Sequence, residues 1–451
     1  MRTRTHCTSG TARVANPRRS TMRRRRVRGI GALGWLAVLM TSTPTAAGVP
    51  SDATAIADEA LDRAARQASF VLLGEATHGT SEFYSERARI TNGLLADAST
   101  AAVVIEADNT EVERVNLYVR GLGEDRSAAE ALGGFRRFPR WMWRNAEFAT
   151  FVEELRARNL ARPAAERAGL YGMDVYDLFG ALDRVQGYIR RHAPAAAVAA
   201  DAAARCFAPY RRKTEAYGIA SRKQRRSCAA PAEALLKAVD QPPSSAHVAC
   251  VEEWFAVRQA AAAVVDGEAY LHATYAGAYS WNVRERSMAG TIRRVAAHAA
   301  GEGATPRVVV WTHNSHVAHA ASTTMADRGE TSIADLLRKD APGRVFTVGL
   351  LTHSGTFMAA PAWDRPGQTY RLAPASRNSI EGLLRRSGEA RSVSILRDDA
   401  PAGYAEWRPQ RAIGAVFDAG QPESVYSRAQ LSTEFDAVIF LDQTRAVRSL
   451  P

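Results

Sequence analysis

The chain has 451 residues, of which 46% are hydrophobic and 24% charged, the composition of a globular protein with a substantial core. The formal net charge is +12, but ten arginines precede residue 48 with no acidic residue among them, so the rest of the chain is nearly neutral. The charge is therefore no reason to expect a polyanionic partner, and we predict no nucleic-acid ligand.

The N-terminal segment predicts a secretory signal peptide at residues 1–47. Its arginine-rich start leads into the apolar run GIGALGWLAVLM, which is short for a bilayer span, and then into small residues before Gly48. An uncleaved anchor is the competing interpretation, and Met22 is an alternative start. We expect an exported protein, periplasmic or extracellular, with no membrane attachment once the signal is removed.

The first predicted strand, FVLLGEA, begins at Phe70 and is followed by Glu75 and His78. The stretch VLLGEATHGTSEFY becomes polar where the strand ends, which is not typical of a buried core. An E-x-x-H pair is common on its own, because an acid after a strand often only caps the next helix. The pair is a candidate site only if other strands deliver matching residues.

Two further apolar runs predict strands in the first part of the core, AAVVIEAD from Ala101 and GLYGMDVY from Gly169. Polar residues at the ends of these runs are Glu106, Asp108, Asp174, Tyr176 and Asp177. Between the runs, the segment WMWRN carries Trp143 and Arg144. These two residues either wall a substrate pocket or pack at the start of a helix.

Residues 181–300 predict a helical insertion, because the segment is rich in alanine at helical spacing and has almost no strand signal. The α/β core then consists of residues 48–180 and 301–451. Three cysteines lie in the insertion: Cys206, Cys228 and Cys250. In an exported protein they predict one disulfide and one leftover thiol, with the pairing open.

The second part of the core contains three more predicted strands, RVVVWTHN from Arg307, RVFTVGLL from Arg344 and FDAVIFLD from Phe435. Continuous apolar runs suit strands that are covered on both faces. We therefore predict an α/β fold with a mostly parallel central sheet flanked by helices. The first of these strands is followed by His313, Asn314 and His316. Ligands bind at the carboxyl ends of such strands, so the polar clusters are expected to converge on one crevice.

Several motifs together resemble the erythromycin esterase family, which includes succinoglycan biosynthesis-type relatives. They are GEATHGTSEFY, WMWRN, WNVRERSMA, WTHNSHVAH and FDAVIFLDQTRAV, and the resemblance extends from about residue 55 to 445. It implies an α/β core with a helical insertion, and hydrolysis of a cyclic or linear carboxylic ester by activated water without a metal or other cofactor. One departure is that the family usually has Arg-Asp where this chain has Arg284 and Glu285.

The resemblance implies that His78 is the general base. The predicted catalytic residues are Glu75, His78, Arg87, Glu106 and His313. The residues predicted to bind the substrate are Trp143, Arg144, Asp174, Tyr176, Arg284, Asn314 and His316. A histidine suits proton abstraction from water at neutral pH, and a neighbouring carboxylate would orient its ring. His313 and Arg87 are suggested donors to the oxyanion, each contributing about 3–4 kcal/mol when preorganised.

Three alternatives stay open. A covalent serine mechanism is disfavoured because no G-x-S-x-G motif occurs, and Ser315 lacks the flanking glycines. A metal-dependent hydrolase would have enough histidine and glutamate ligands for zinc or iron, although no H-E-x-x-H motif occurs. A polysaccharide-modification or binding protein of the same fold would have little esterase activity. We predict an exported hydrolase whose partner is a small-molecule ester, possible macrolactones included.

Overall fold

The computed structural model describes residues 52–210, 212–224, 227–277, 279–300, 306–397 and 400–451. The predicted signal peptide lies outside these ranges and stays a prediction. In the described ranges, no helix combines the length and the apolar character needed to cross a bilayer.

The strands are β1 (Phe70–Leu73), β2 (Thr100–Asp108), β3 (Gly169–Asp174), β4 (Arg307–Trp311), β5 (Val345–Ala359), β6 (Gln368–Leu372), β7 (Arg391–Ile395), β8 (Trp407–Arg411), β9 (Tyr426–Gln430) and β10 (Ala437–Thr444). The helices are α1 (Asp52–Gln67), α2 (Ser81–Leu95), α3 (Asn109–Val119), α4 (Ala128–Leu132), α5 (Ala146–Leu160), α6 (Leu178–His192), α7 (Ala197–Phe207), α8 (Thr214–Gln224), α9 (Ala229–Ala238), α10 (Val248–Ala276), α11 (Ser280–Ala299), α12 (Asn314–Val317), α13 (Ile333–Asp340), α14 (Ile380–Leu384) and α15 (Leu431–Glu434).

The central sheet has the strand order β3-β2-β4-β1-β5-β10-β7. The pairs from β3 to β10 are parallel, whereas β7 runs antiparallel to β10 and β6 runs antiparallel to β5. Helices flank this sheet, which confirms the predicted α/β class. All six strands expected from apolar runs are present.

The central strands are buried on both faces, as their sequences predict. Every residue of β4 is buried, and Leu72 of β1, Val104 of β2 and Val309 of β4 are completely shielded from solvent. Burying one such aliphatic side chain contributes roughly 1.5–3 kcal/mol. The strands β6, β7, β8 and β9 were not predicted, because each is short and only partly buried and lacks a continuous apolar run.

The helices α6 to α10 enclose a second hydrophobic cluster, separate from the one around the sheet. A disulfide joins Cys206 and Cys228, so one disulfide in this segment is confirmed. No cysteine among the described residues is a free thiol, so the expected leftover thiol is wrong. The helix α11 packs against β2, β3 and β4, and this contact brings its first turns to the sheet.

Candidate active site

A cavity of about 130 Å³ lies at the carboxyl ends of the parallel strands. The predicted site residues that line it are His78, Glu106, Trp143, Asp174, Tyr176 and Arg284. They come from the ends of β1, β2 and β3, from the segment before α5, and from α11. Parallel strands end at the same edge of a sheet, which explains how residues distant in sequence meet here.

The turn after β1 sets the geometry of Glu75 and His78. Glu75 is fully buried, and its Oε1 lies 3.0 Å from Nδ1 of His78. The next residue, Gly79, must be glycine, because an added Cβ would lie 2.0 Å from the carbonyl oxygen of Met358. The hydroxyl of Tyr84 donates to the carbonyl of His78 at 3.1 Å. The turn is therefore fixed from both sides, and the imidazole is presented to the cavity in one orientation.

Arg87 lies behind Glu75 and has no exposed surface. Its Nη2 is 2.8 Å from Oε2 of Glu75, and its guanidinium carbon lies 4.5 Å from the ring centre of Tyr84 and 4.9 Å from that of Trp311. This aromatic surrounding compensates in part for the loss of water around a cation. Arg87 does not line the cavity, so its suggested role as an oxyanion donor does not fit its position. It instead holds the carboxylate that orients His78.

Glu106 occupies the end of β2, and both of its oxygens have partners. Oε1 accepts from Arg284 at 2.8 Å, and Oε2 accepts from the Thr312 hydroxyl at 2.7 Å and from the His313 backbone N–H at 2.9 Å. Burial alone would raise the pKa of Glu106, but the charges of His316 and Arg284 outweigh burial and hold the pKa well below its usual value. Glu106 is thus a fixed anion that orders the residues around it.

Arg284 of α11 crosses to the sheet and forms a fork with Asp174 at the end of β3. Its Nε donates to Oδ1 at 2.9 Å and its Nη2 donates to Oδ2 at 2.7 Å, while its guanidinium carbon lies 5.0 Å from the ring centre of Tyr176. Burial would lower the pKa of Arg284, but Asp174 and the other acidic neighbours raise it well above its usual value. The arginine is a permanent cation in the cavity wall, and its contact with substrate stays a prediction.

His313 is a neutral hydrogen-bond donor by its geometry. Its Nδ1 accepts from the backbone N–H of Ser315 at 3.3 Å, so in the neutral ring the proton is assigned to Nε2. Burial is the main cause that lowers the pKa of His313 to about 3, and the neighbouring His78 adds to it. Nε2 is buried and makes no hydrogen bond of standard geometry among the described residues, although a ring N–H interacts with the backbone of Ala76. The ring centre lies 5.0 Å from that of His78, so His313 is next to the candidate base, although it does not itself line the cavity.

His316 was predicted to bind substrate, but the structure places it behind Glu106, away from the cavity lining. Its Nδ1 is 2.6 Å from Glu285, its Nε2 is 3.2 Å from Glu106, and Trp281 stacks on its ring at 4.8 Å. Burial lowers the pKa of His316, but the two carboxylates outweigh burial and raise the pKa to about 9. Glu285, where this chain departs from the resembled family, therefore contacts His316 and not the cavity.

Two more residues predicted to bind substrate lie elsewhere. The side-chain amide of Asn314 bonds to the backbone of Leu350, donating to its carbonyl at 3.1 Å and accepting from its N–H at 3.3 Å. Arg144 donates to the carbonyl of Pro451 and lines a neighbouring groove instead of the cavity. Asn314 therefore joins α12 to β5, and its predicted contact with substrate does not fit this position.

Several residues of the cavity wall were not among the site residues predicted from the sequence. Arg137 donates to Asp108 at 3.1 Å, and Trp363 closes the rim by packing on Phe138, with ring centres 4.7 Å apart. Burial is the main reason why the pKa of Asp108 is raised to about 7. The charge of Arg137 opposes this rise, and the charge of Asp174 increases it. Asp108 was expected from the sequence at the end of β2 beside Glu106, but it was not among the predicted site residues. Trp363 lies in the connection between β5 and β6, where no sequence signal pointed to the cavity.

The histidines and carboxylates of the site are potential metal ligands. In the part of the chain that the structure describes, no group of three or more His, Cys, Asp or Glu side chains has an arrangement suited to holding a metal ion. Glu75 and Glu106 are directed at arginine and histidine partners, and His313 uses Nδ1 for Ser315. The geometry fits an acid–base site built from organic side chains.

The comparisons with known proteins agree with this architecture. A sequence profile of the family described as erythromycin esterase matches residues 100–444. A succinoglycan biosynthesis protein of known structure is similar at 18% identity and a TM-score of 0.69, over 87% of this chain and 92% of the other. A Bacillus cereus protein is similar at 16% identity and a TM-score of 0.71, over 92% and 96% of the two chains. A mutant of the erythromycin esterase EreC in its open conformation is similar at 14% identity and a TM-score of 0.58, over 86% and 93%.

Proposed function

This chain belongs to the erythromycin esterase family, and from this membership and the cavity geometry we propose that it hydrolyses a carboxylic ester with water activated by His78. The observation that carries the proposal is the pairing of His78 with buried Glu75 at 3.0 Å in the wall of the cavity. With Nδ1 directed at Glu75, the free Nε2 lone pair is the site that takes a proton from water.

The proposed reaction has two steps. Nε2 of His78 takes a proton from a water molecule as the water oxygen bonds to the ester carbonyl carbon, and the carbonyl oxygen becomes an oxyanion. We assign the donation to this oxyanion to the Nε2–H of His313, whose ring lies beside that of His78; the atom is buried and outside the cavity lining, so the ring must shift to expose it to the substrate. The tetrahedral intermediate then releases the alkoxide by breaking its C–O bond. The proton on Nε2 of His78 passes to the alkoxide, so the products are an acid and an alcohol.

The size of the cavity supports a small ester, or the exposed ester-bearing end of a larger one. The cavity holds about 130 Å³, whereas sites that enclose drug-sized ligands hold roughly 300–1,000 Å³. A macrolactone ring would therefore need the rim at Trp363 and Phe138 to move apart. Those two rings pack on each other, and Trp363 is 55% exposed, so the rim has little core packing to hold it.

Export of the protein is proposed on two grounds. Residues 1–47 have the organisation of a signal peptide, and the disulfide between Cys206 and Cys228 suits an oxidising compartment. The substrate would then be met in the periplasm or outside the cell.

The test is a substrate screen with the purified chain lacking residues 1–47. 4-Nitrophenyl esters with acyl chains from two to eight carbons are compared with a macrolide whose lactone opening is followed by mass spectrometry. We expect the short esters to be hydrolysed fastest, since they fit the cavity. If no ester of any size is hydrolysed faster than with heat-denatured protein, the proposed activity is wrong.

A further inference from the structure

A groove of about 430 Å³ adjoins the cavity and is rich in arginine. Its charged lining residues are Arg136, Arg137, Arg140, Arg144, Asp364 and Arg365. The groove and the cavity share Arg137, Phe138 and Arg140 as walls, so a molecule held in the cavity can extend across this segment. Five arginines and one acidic residue, Asp364, thus line this groove beside the candidate site.

The segment before α5 presents two of its arginines, Arg136 and Arg140, to solvent. Oε1 of Glu111 accepts from the backbone N–H groups of Arg136 at 2.7 Å and Arg137 at 2.8 Å, which fixes the main chain. The Arg137 side chain turns inward to Asp108, whereas Arg136 and Arg140 are exposed. The carboxylate of Glu111 is engaged with backbone N–H groups and forms no ion pair with the exposed guanidinium groups of Arg136 and Arg140.

Ion pairing distinguishes this groove from a larger groove elsewhere on the described residues. That second groove, of about 600 Å³, is lined by Arg89, Arg445 and Arg448, and each of the three pairs with a carboxylate at 2.9–3.1 Å. In the groove beside the cavity, Arg137 is paired with Asp108, and Arg144 donates to a backbone carbonyl. Within the described ranges, Arg136, Arg140 and Arg365 have no ion-pair partner.

Unpaired guanidinium groups that line one groove repel each other, and an anion between them relieves that repulsion. Their planar N–H groups bind carboxylate and phosphate oxygens in pairs. The volume of the groove suits a single anionic group of a small molecule more than an extended polymer strand. We infer that this groove binds a carboxylate or phosphate group on the substrate while the ester lies in the neighbouring cavity at His78.

This inference names a substrate class and rests on the proposed esterase function, so its first test compares two esters of equal length. Mono-4-nitrophenyl glutarate carries a carboxylate where 4-nitrophenyl valerate ends in a methyl group. We expect the ratio of their kcat/KM values to fall about tenfold in the double variant R136Q/R365Q, equivalent to about 1.4 kcal/mol. The control R445Q removes one arginine of the paired groove and should keep the ratio of the unchanged protein. An equal ratio in all three proteins would overturn the inference.

The second test does not depend on hydrolysis. Calorimetric titration with glutarate and, separately, with inorganic phosphate measures binding to the unchanged protein, to R136Q/R365Q and to R445Q. We expect binding that is at least tenfold weaker in the double variant and weaker in high salt, because exposed charges are screened. The anion that binds more tightly shows whether the groove prefers a carboxylate or a phosphate group. Binding without ester hydrolysis would support the groove and contradict the esterase, whereas hydrolysis of the valerate ester without anion binding would contradict the groove alone.

Discussion

The imidazole of His78 and the carboxylate of Glu75 are joined within one turn after β1, with Nδ1 and Oε1 3.0 Å apart. The sequence predicted that a carboxylate, Glu75 or Glu106, would lie within hydrogen-bond reach of His78, and this is confirmed for Glu75. The other carboxylate oxygen of Glu75, Oε2, lies 2.8 Å from Nη2 of Arg87. Arg87, Glu75 and His78 thus form a line from the core to the cavity. A substitution at Arg87, the buried end of this line, should therefore alter the orientation of His78.

The first prediction concerns this line. R87M leaves the Glu75 charge buried without its partner, so the free energy of unfolding should fall by about 3–5 kcal/mol. The double variant E75Q/R87M removes both charges and should regain part of that loss, while its kcat stays well below that of the unchanged protein. Urea unfolding and ester hydrolysis measure the two effects. A double variant less stable than R87M alone would show that the pair is not coupled as described.

The second prediction concerns the neutral donor of His313. H313L removes the Nε2–H and should lower kcat by about 10²–10³-fold with little change in KM, the usual cost of losing one oxyanion donor. H313Q keeps an N–H donor and should retain more activity. Burial lowers the pKa of His313 to about 3, so the residue stays neutral from pH 5 to 9. The kcat of the unchanged protein divided by that of H313L should therefore be constant over this range. A ratio that varies as a titrating histidine would contradict the assignment.

The third prediction is a loss of stability in alkali. The pKa of His316 is about 9 in the folded protein, where Glu285 and Glu106 outweigh the effect of burial, against 6.5 when unfolded. A raised pKa means that the stabilisation is complete below pH 6.5 and is lost as the pH rises through 9. The amount is on the order of 3 kcal/mol. Unfolding free energies of the unchanged protein and H316Q, measured from pH 6 to 10, should converge as the pH rises. A constant difference over that range would contradict the charge assigned to His316.

The fourth prediction separates the proposed mechanism from a metal-dependent one. A metal hydroxide depends on a cation that lowers the pKa of its bound water, whereas the pair of His78 and Glu75 does not. Prolonged dialysis against chelators should therefore leave kcat unchanged, and elemental analysis should find much less than one metal ion per chain. One equivalent of zinc, iron or manganese, removed with loss of activity and restored on adding it back, would overturn the mechanism.

Much of the fold could be predicted, because each of its six main strands is a continuous apolar run that can be recognised from neighbouring residues in the sequence. The same holds for His78 and Glu75, which lie in one turn. Other positions depend on tertiary contacts that the sequence does not encode locally. Arg87 lies in α2, beyond the turn that holds Glu75, and nothing in the local sequence shows that its guanidinium returns to that carboxylate between the rings of Tyr84 and Trp311. Trp363 reaches the rim through the connection between β5 and β6, and β6 carried no clear strand signal.

The most direct test of the account is the rate of ester hydrolysis by H78N. Asparagine cannot take the proton from water, so kcat/KM for the best short 4-nitrophenyl ester should fall by at least about 10²–10⁴-fold. The thermal unfolding temperature should stay near that of the unchanged protein, because His78 lies in the cavity wall and not in the hydrophobic core. The control R445Q should keep full activity. Hydrolysis by folded H78N at the rate of the unchanged protein would contradict the assignment of His78 as the general base.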